Sequence, residues 1–212
     1  MVNIYESRII PALKQIKGNN ILDIGCVGMG KNDVIGGCDF IFGELSLKYE
    51  NVIGMDINKK GAEKLIGRGF KVIIQDAQEP YDLNMKFDTI VSEENIEHIA
   101  NLKTYLENIR NHLNVGGRLV LSTPNACCLD FMIHMFIWRK PRVNQYHTHV
   151  HTLDTITYLL NMHGFNVIYY EYLQAIPKKM NINQRICKWI VRWFPERFGR
   201  TILLVAENAF NN

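Results

Sequence analysis

Two carboxylates and an imidazole are grouped in Glu94-x-x-Glu97-His98, and three more histidines follow at alternate positions, His147, His149 and His151. At the start of a helix, residues three and four apart lie on one face, so Glu94, Glu97 and His98 are expected to converge. Such a set suits a divalent cation of the Mg²⁺, Mn²⁺ or Zn²⁺ type, and a downstream histidine would complete it. In an extended segment the spacing of two puts His147, His149 and His151 on one face. His98, His149 and His151 are also candidates for a general base. The plain alternative is structural, because a Glu-His pair also caps a helix or braces a loop.

A second set of polar groups falls at the ends of apolar runs. Asp23-Ile24-Gly25-Cys26-Val27-Gly28-Met29-Gly30 is a glycine-rich turn after a buried strand, where backbone can approach a ligand closely. Its spacing is G-x-x-G-x-G, not the G-x-G-x-x-G of a dinucleotide site. Asp56 ends the next run, where its two oxygens can accept both protons of a ribose diol. Asp76, beside Ala77, ends the third, where it can accept from the exocyclic amine of a purine. Singly these acids read as solvated strand ends. Three successive strand ends with polar tips mark the edge at which open α/β sheets bind ligands.

The elements that must hold these groups alternate between apolar runs and helical patterns, which predicts a parallel sheet with helices on both faces. Strands are expected at 21–25, 52–56, 71–75, 87–92, 118–122, 166–172 and 201–207. Helices are expected at 4–16, 40–49, 59–67 and 102–113. Another runs from an N-cap at Thr152 through His163, where Gly164 stops it. The last two strands lack the spacing of a crossover unit.

These residues resemble class I S-adenosylmethionine-dependent methyltransferases along nearly the whole chain. The motifs that match are the turn 23–30, Asp56 in Val-Ile-Gly-Met-Asp, Asp76 in Ile-Ile-Gln-Asp-Ala, and the stretch from Phe87 to His98. Leu113-Asn114-Val115-Gly116-Gly117-Arg118-Leu119 and His163-Gly164-Phe165 match as well. The subgroup it looks closest to is the ubiquinone-biosynthesis type and its small-molecule relatives. The resemblance implies a Rossmann-like, seven-stranded, mostly parallel sheet with an antiparallel last hairpin. It implies S-adenosyl-L-methionine at Asp23, Gly25, Cys26, Gly28, Asp56, Ile57, Asp76, Ala77 and Glu93. The Glu94, Glu97 and His98 pattern is similar to the metal site of small-RNA terminal 2′-O-methyltransferases and of ubiquinone-type O-methyltransferases. Val27 stands where that family usually has a second glycine, which points to an altered loop.

Composition limits the rest. The chain has 212 residues, 47% hydrophobic and 21% charged, as in a soluble globular domain. No apolar run reaches the ~18 residues that span a bilayer, and no signal-peptide pattern opens the chain, so a cytoplasmic location is expected. The five cysteines form no C-x-x-C pair, which argues against a disulfide framework or thiolate zinc site. Net charge is +3, but residues 177–200 alone carry +6. We therefore expect one domain over 1–212, with a lid-like segment at 125–150 and a basic helical insertion at 177–200. The lid carries Leu129, Met132, Ile133, Phe136 and Ile137 on an apolar face, as core or as pocket lining. In the insertion, residues 184–194 put Trp189 and Trp193 beside Arg185, Lys188 and Arg192, a pattern for peripheral membrane contact or a homodimer. The expected reaction is O-methylation of a small or lipid-like acceptor. RNA 2′-O-methylation is the alternative, although no RNA-binding module is recognisable and a nucleic-acid partner is not expected. A nicotinamide-dependent oxidoreductase and a non-catalytic nucleoside-binding protein are the alternatives from other classes.

Overall fold

Ile21, Leu22, Asp23 and Ile24 are all buried, so the strand that carries them, Asn20–Ile24 (β2), must be covered on both faces. This is the pattern of a central strand in a parallel sheet. The computed structural model describes residues 2–5, 7, 9–28, 40–139, 143–175 and 199–209. In it β2 pairs in parallel with Asn51–Asp56 (β3) and with Phe87–Glu93 (β5). Val72–Ile74 (β4) lies outside β3, and Leu113–Pro124 (β6) outside β5, both parallel. Phe165–Ala175 (β7) and Thr201–Asn208 (β8) follow, with β8 antiparallel to both β6 and β7. The seven expected strands and their antiparallel last pair are therefore present.

The N-terminus departs from expectation. In place of one helix over 4–16, Val2–Tyr5 forms an eighth strand (β1) parallel to β7, and a short helix, Ile9–Leu13 (α1), follows. Ile4 pairs with Gln174, which covers backbone groups of β7 that would otherwise lie on an open edge. The full order is β1-β7-β8-β6-β5-β2-β3-β4.

Neighbouring residues on each strand serve opposite cores. Leu22, Ile90, Leu119 and Leu121 join Tyr105, Leu106 and Ile109 of Leu102–His112 (α4) and Ile156 and Leu160 of Leu153–Met162 (α6). Ile21, Val91, Val120 and Leu203 join α1, Phe42 and Leu45 of Ile41–Lys48 (α2), and Leu65 of Lys59–Ile66 (α3). Burying each large apolar side chain contributes ~1.5–3 kcal/mol, and a one-residue slip would exchange the two faces, so register is firmly set. Asn58, Asn101 and Thr152 cap α3, α4 and α6 through their side chains.

Asp88, inside a matched motif, belongs to this framework. Its carboxylate accepts the Asn19 and Asn20 N–H groups at 3.0 and 3.1 Å and the Asn114 amide at 2.7 Å. The Asn20 N–H is the main cause holding its carboxyl below the usual range.

Leu129–Trp138 forms α5 in the lid-like segment. Phe136 is 82% exposed and Ile137 64%, so these two residues are not core. Residues 176–198 lie outside the described set, and with them the helix pattern at 184–194 and the membrane or dimer reading attached to it. Among the described residues, no helix is long and apolar enough to cross a membrane. Because β2 to β6 are parallel, their carboxyl ends share one edge, and the predicted site residues stand there.

Candidate functional site

The turn after β2 is shaped by backbone. Gly25 and Gly28 take positive φ, +86° and +64°, which favours glycine at both positions. The Gly25 N–H donates to the Met55 carbonyl at 2.8 Å, which ties the turn to β3. A Cβ at Gly25 would lie 3.2 Å from the Asn95 side chain, and one at Gly28 would meet none of the described residues within 4 Å. Met29 and Gly30 lie outside the described residues.

Asp23 is 2% exposed, and among the described residues its Oδ2 is buried without a hydrogen-bond partner. Burial, followed by the nearby Asp56 carboxylate, pushes the Asp23 carboxyl well above the ordinary range. A cationic group placed against it would restore the ionised form. S-adenosylmethionine carries both a sulfonium and an ammonium, so this orphaned oxygen fits that cofactor. Asp56 Oδ2 accepts the Val27 N–H at 2.9 Å, and its Oδ1 accepts the Asn58 N–H at 2.8 Å. Asp76 Oδ1 accepts the Gln78 N–H at 2.9 Å, beside the buried Ala77. Ile57 is 64% exposed past β3, and Glu93 ends β5 half-buried. Cys26 presses on the space left by Gly54, and burial pushes its thiol up, so its side chain is a core group. Only its backbone can serve a ligand.

Of Glu94, Glu97 and His98, the last two come together as expected and Glu94 is drawn away. The segment holds a single 3-10 turn, Ile96–His98, and α4 begins only at Leu102. Glu94 has φ +47°, and its N–H still bonds Ser122 at the end of β6. Its carboxylate instead accepts the Thr201 hydroxyl at 3.1 Å. Glu97, 1% exposed, accepts the Thr123 hydroxyl at 3.2 Å. His98 Nδ1–H donates to the Tyr146 carbonyl at 3.1 Å. Thr148 and His149 donate backbone N–H groups to the Glu97 carbonyl at 2.8 and 3.2 Å. This brings His147 against His98, ring centroids 4.7 Å apart. One ligand atom from each of Glu97, His98 and His147 lies within 4.8 Å of the others. Burial, then His98, holds His147 below its usual pKa.

His147, His149 and His151 are each less exposed than Thr148 and Val150 between them, as alternate spacing predicts, but their rings take different partners. His149 and His151 form their own pair, ring centroids 5.9 Å apart. His151 is bridged to Asn125, one residue past β6, and its Nε2 is buried without a partner among the described residues. Burial, with His149 as a smaller cause, lowers its pKa to about 4, so the ring is neutral near pH 7.

The sequence pointed to none of the residues that brace this half. Tyr105 reads as a core position of α4, yet its hydroxyl sits 2.5 Å from Ser92 Oγ and accepts the Asn95 amide at 3.3 Å. Thr123, Tyr146, Thr148 and Thr201 carry no spacing signal. At the opposite, amino edge, a shallow cleft of about 560 Å³ is lined by Lys86, Arg110, Asn114 and Asn208. None of Asp23, Asp56, Asp76, Glu97, His98, His147 and His151 lines it.

Residues 5–170 match the methyltransferase domain family. A ubiquinone biosynthesis O-methyltransferase of Rickettsia prowazekii (strain Madrid E) is 28% identical over 134 residues, 58% of this chain and 49% of that protein. The chain thus spans about half the length of the curated relative it matches. A SAM dependent methyltransferase from Archaeoglobus fulgidus shares the fold at TM-score 0.66 and 21% identity, covering 94% of this chain and 90% of the other. A glycopeptide N-methyltransferase complexed with S-adenosyl-L-methionine aligns at TM-score 0.60 and 15% identity, covering 94% and 91%. The match and the antiparallel β8 remove the nicotinamide-dependent alternative, and the chain belongs to the methyltransferase domain family, with the class I S-adenosylmethionine-dependent fold.

Proposed function

We propose that this protein is an enzyme that transfers a methyl group to a hydroxyl of a small or lipid-like acceptor. The carrying observation is that the same sheet edge holds a buried carboxylate oxygen on β2 and, past the end of β6, a buried neutral imidazole nitrogen, both without partners among the described residues. The first suits the cationic cofactor and the second an acceptor proton. S-adenosylmethionine, when bound, supplies an activated methyl and leaves as the thioether. Asp23 would balance its charge, Asp56 would hold the ribose diol, and Asp76 and Ala77 would face the adenine. The protein's main contribution is alignment of the nucleophile with the methyl carbon. His151 Nε2 would accept the hydroxyl proton as the oxygen–carbon bond forms and the carbon–sulfur bond breaks. His149 would support it. Segment 125–150 would cover the acceptor.

Glu97, His98 and His147 would hold a divalent cation, which would lower the pKa of a bound hydroxyl. Chelation with EDTA is then expected to abolish transfer while S-adenosylhomocysteine affinity stays nearly unchanged. Transfer that is indifferent to EDTA and to Glu97→Gln would leave this cluster a structural brace.

The acceptor class is tested by incubating the protein with methyl-labelled cofactor and a panel of phenols, lipid-like alcohols and RNA ends. Label in a small or lipid-like alcohol supports this reading. Label only in RNA ribose would favour the 2′-O alternative, and label in none a nucleoside-binding protein.

A further inference from the structure

We propose that Gly61 of α3 is a positioning residue of the nucleotide turn: the space left by its missing side chain seats Val27, and this matched pair sets where the Val27 N–H meets Asp56. The proposal rests on the reading of Asp56 as the acid that holds the cofactor's ribose.

Glycine is a poor choice for a helix interior, because it loses the most conformational freedom on folding. Gly61 is nevertheless the third residue of α3. A Cβ there would lie 3.1 Å from Val27 Cγ2, 3.2 Å from Val27 Cβ, and closer still to Cγ1. Carbon atoms attract best at about 3.5–4.0 Å, so alanine would overlap the valine. Val27 cannot swing aside freely, since a β-branched side chain has few χ1 positions. The turn itself would have to move.

That movement would reach Asp56, because the contacts form a closed ring. Val27 N–H donates to Asp56 Oδ2 at 2.9 Å, and Asn58 N–H donates to Asp56 Oδ1 at 2.8 Å. The Asn58 side chain accepts the Gly61 N–H at 3.1 Å, and Gly61 in turn abuts Val27. Each member fixes the next. Bulk added at Val27, where the resemblance leads one to expect glycine, is matched by bulk absent at Gly61. The turn therefore keeps its hold on Asp56 with a larger side chain in it.

The test is a double-mutant cycle on the full chain with Gly61→Ala, Val27→Gly and the pair combined. Calorimetric titration with S-adenosylhomocysteine and thermal melts are recorded for each. Gly61→Ala is expected to weaken binding about tenfold, a change of ~1.4 kcal/mol. The double variant is expected to return to within about threefold of wild type, because the overlap is gone. Gly61→Ala binding like wild type overturns the proposal. So does a double variant that binds no better than Gly61→Ala, or one that regains melting temperature without affinity. If Gly61→Ala fails to fold, the double variant must fold and bind, and its failure is equally decisive. Wild-type protein with no S-adenosylhomocysteine affinity would strike down the cofactor assignment itself, an outcome distinct from a failed rescue.

Discussion

At the tips of β3 and β4, carboxylates are held by backbone N–H groups of the adjoining turns, while past β5 and β6 the polar groups are held mainly by Thr123 and by a loop about fifty residues away. Asp56 and Asp76 each accept an N–H from two residues onward, and the turn after β2 bonds the adjacent strand β3. Across the site, Glu97 is braced by Thr123, Thr148 and His149, and His98 by Tyr146, about fifty residues away. His151 is placed by Asn125 and Ala126. A common ligand half can be built from short turns that recur as motifs. The acceptor half is assembled from loops that meet only in the folded chain, so its chemistry can vary without disturbing the other half.

The sharpest break between the halves is expected at His151. His151→Asn should lower the transfer rate by roughly 10²–10⁴-fold, the usual worth of a positioned base. The same variant should bind S-adenosylhomocysteine as wild type does.

The pH dependence of stability comes next. Folding holds His151 below its usual value of 6.5, at about 4. The unfolded chain therefore takes up this proton first, and stability falls as pH drops from about 6.5 towards about 4. The contribution is on the order of 3 kcal/mol, at ~1.4 kcal/mol per pKa unit. Chemical denaturation across that range should show the decline in wild type and a flatter profile in His151→Gln. Equal slopes would assign the decline to other groups.

Asp56→Ala should act on the cofactor half alone. Loss of a charge-assisted hydrogen bond costs ~1.5–3 kcal/mol, so calorimetry should show S-adenosylhomocysteine binding weakened by about tenfold or more. The smallest effect is expected at Tyr105, between the halves. Tyr105→Phe removes the hydroxyl shared with Ser92 and Asn95 and should cost about 1 kcal/mol of stability by denaturant titration. A loss of cofactor affinity in that variant would show that the halves communicate through α4.

The same contrast explains what could be read from the chain. The central strands announce themselves as short apolar runs, and Asp56 and Asp76 stand at their ends. The capped starts of α3, α4 and α6 are local chemistry as well. Strand β1 was hidden because its reason to form is the edge of β7, some 170 residues later. Glu94 leaves the helical face that its spacing predicts because its own backbone is left-handed, with φ +47°. The two histidine pairs depend on how residues 143–151 fold over the 3-10 turn, which alternate spacing does not encode. Gly61 gave no signal, since a helical glycine acquires meaning only when Val27 is seen against it.

The decisive measurement compares His151→Asn with wild type, reading S-adenosylhomocysteine affinity by calorimetry and labelled methyl transfer to a hydroxyl acceptor on the same preparations. Transfer should collapse while the dissociation constant stays within about twofold, far below the 1.4 kcal/mol that marks a tenfold change. If affinity and transfer fall together, or if transfer survives, the division into a cofactor half and a proton-accepting half is wrong.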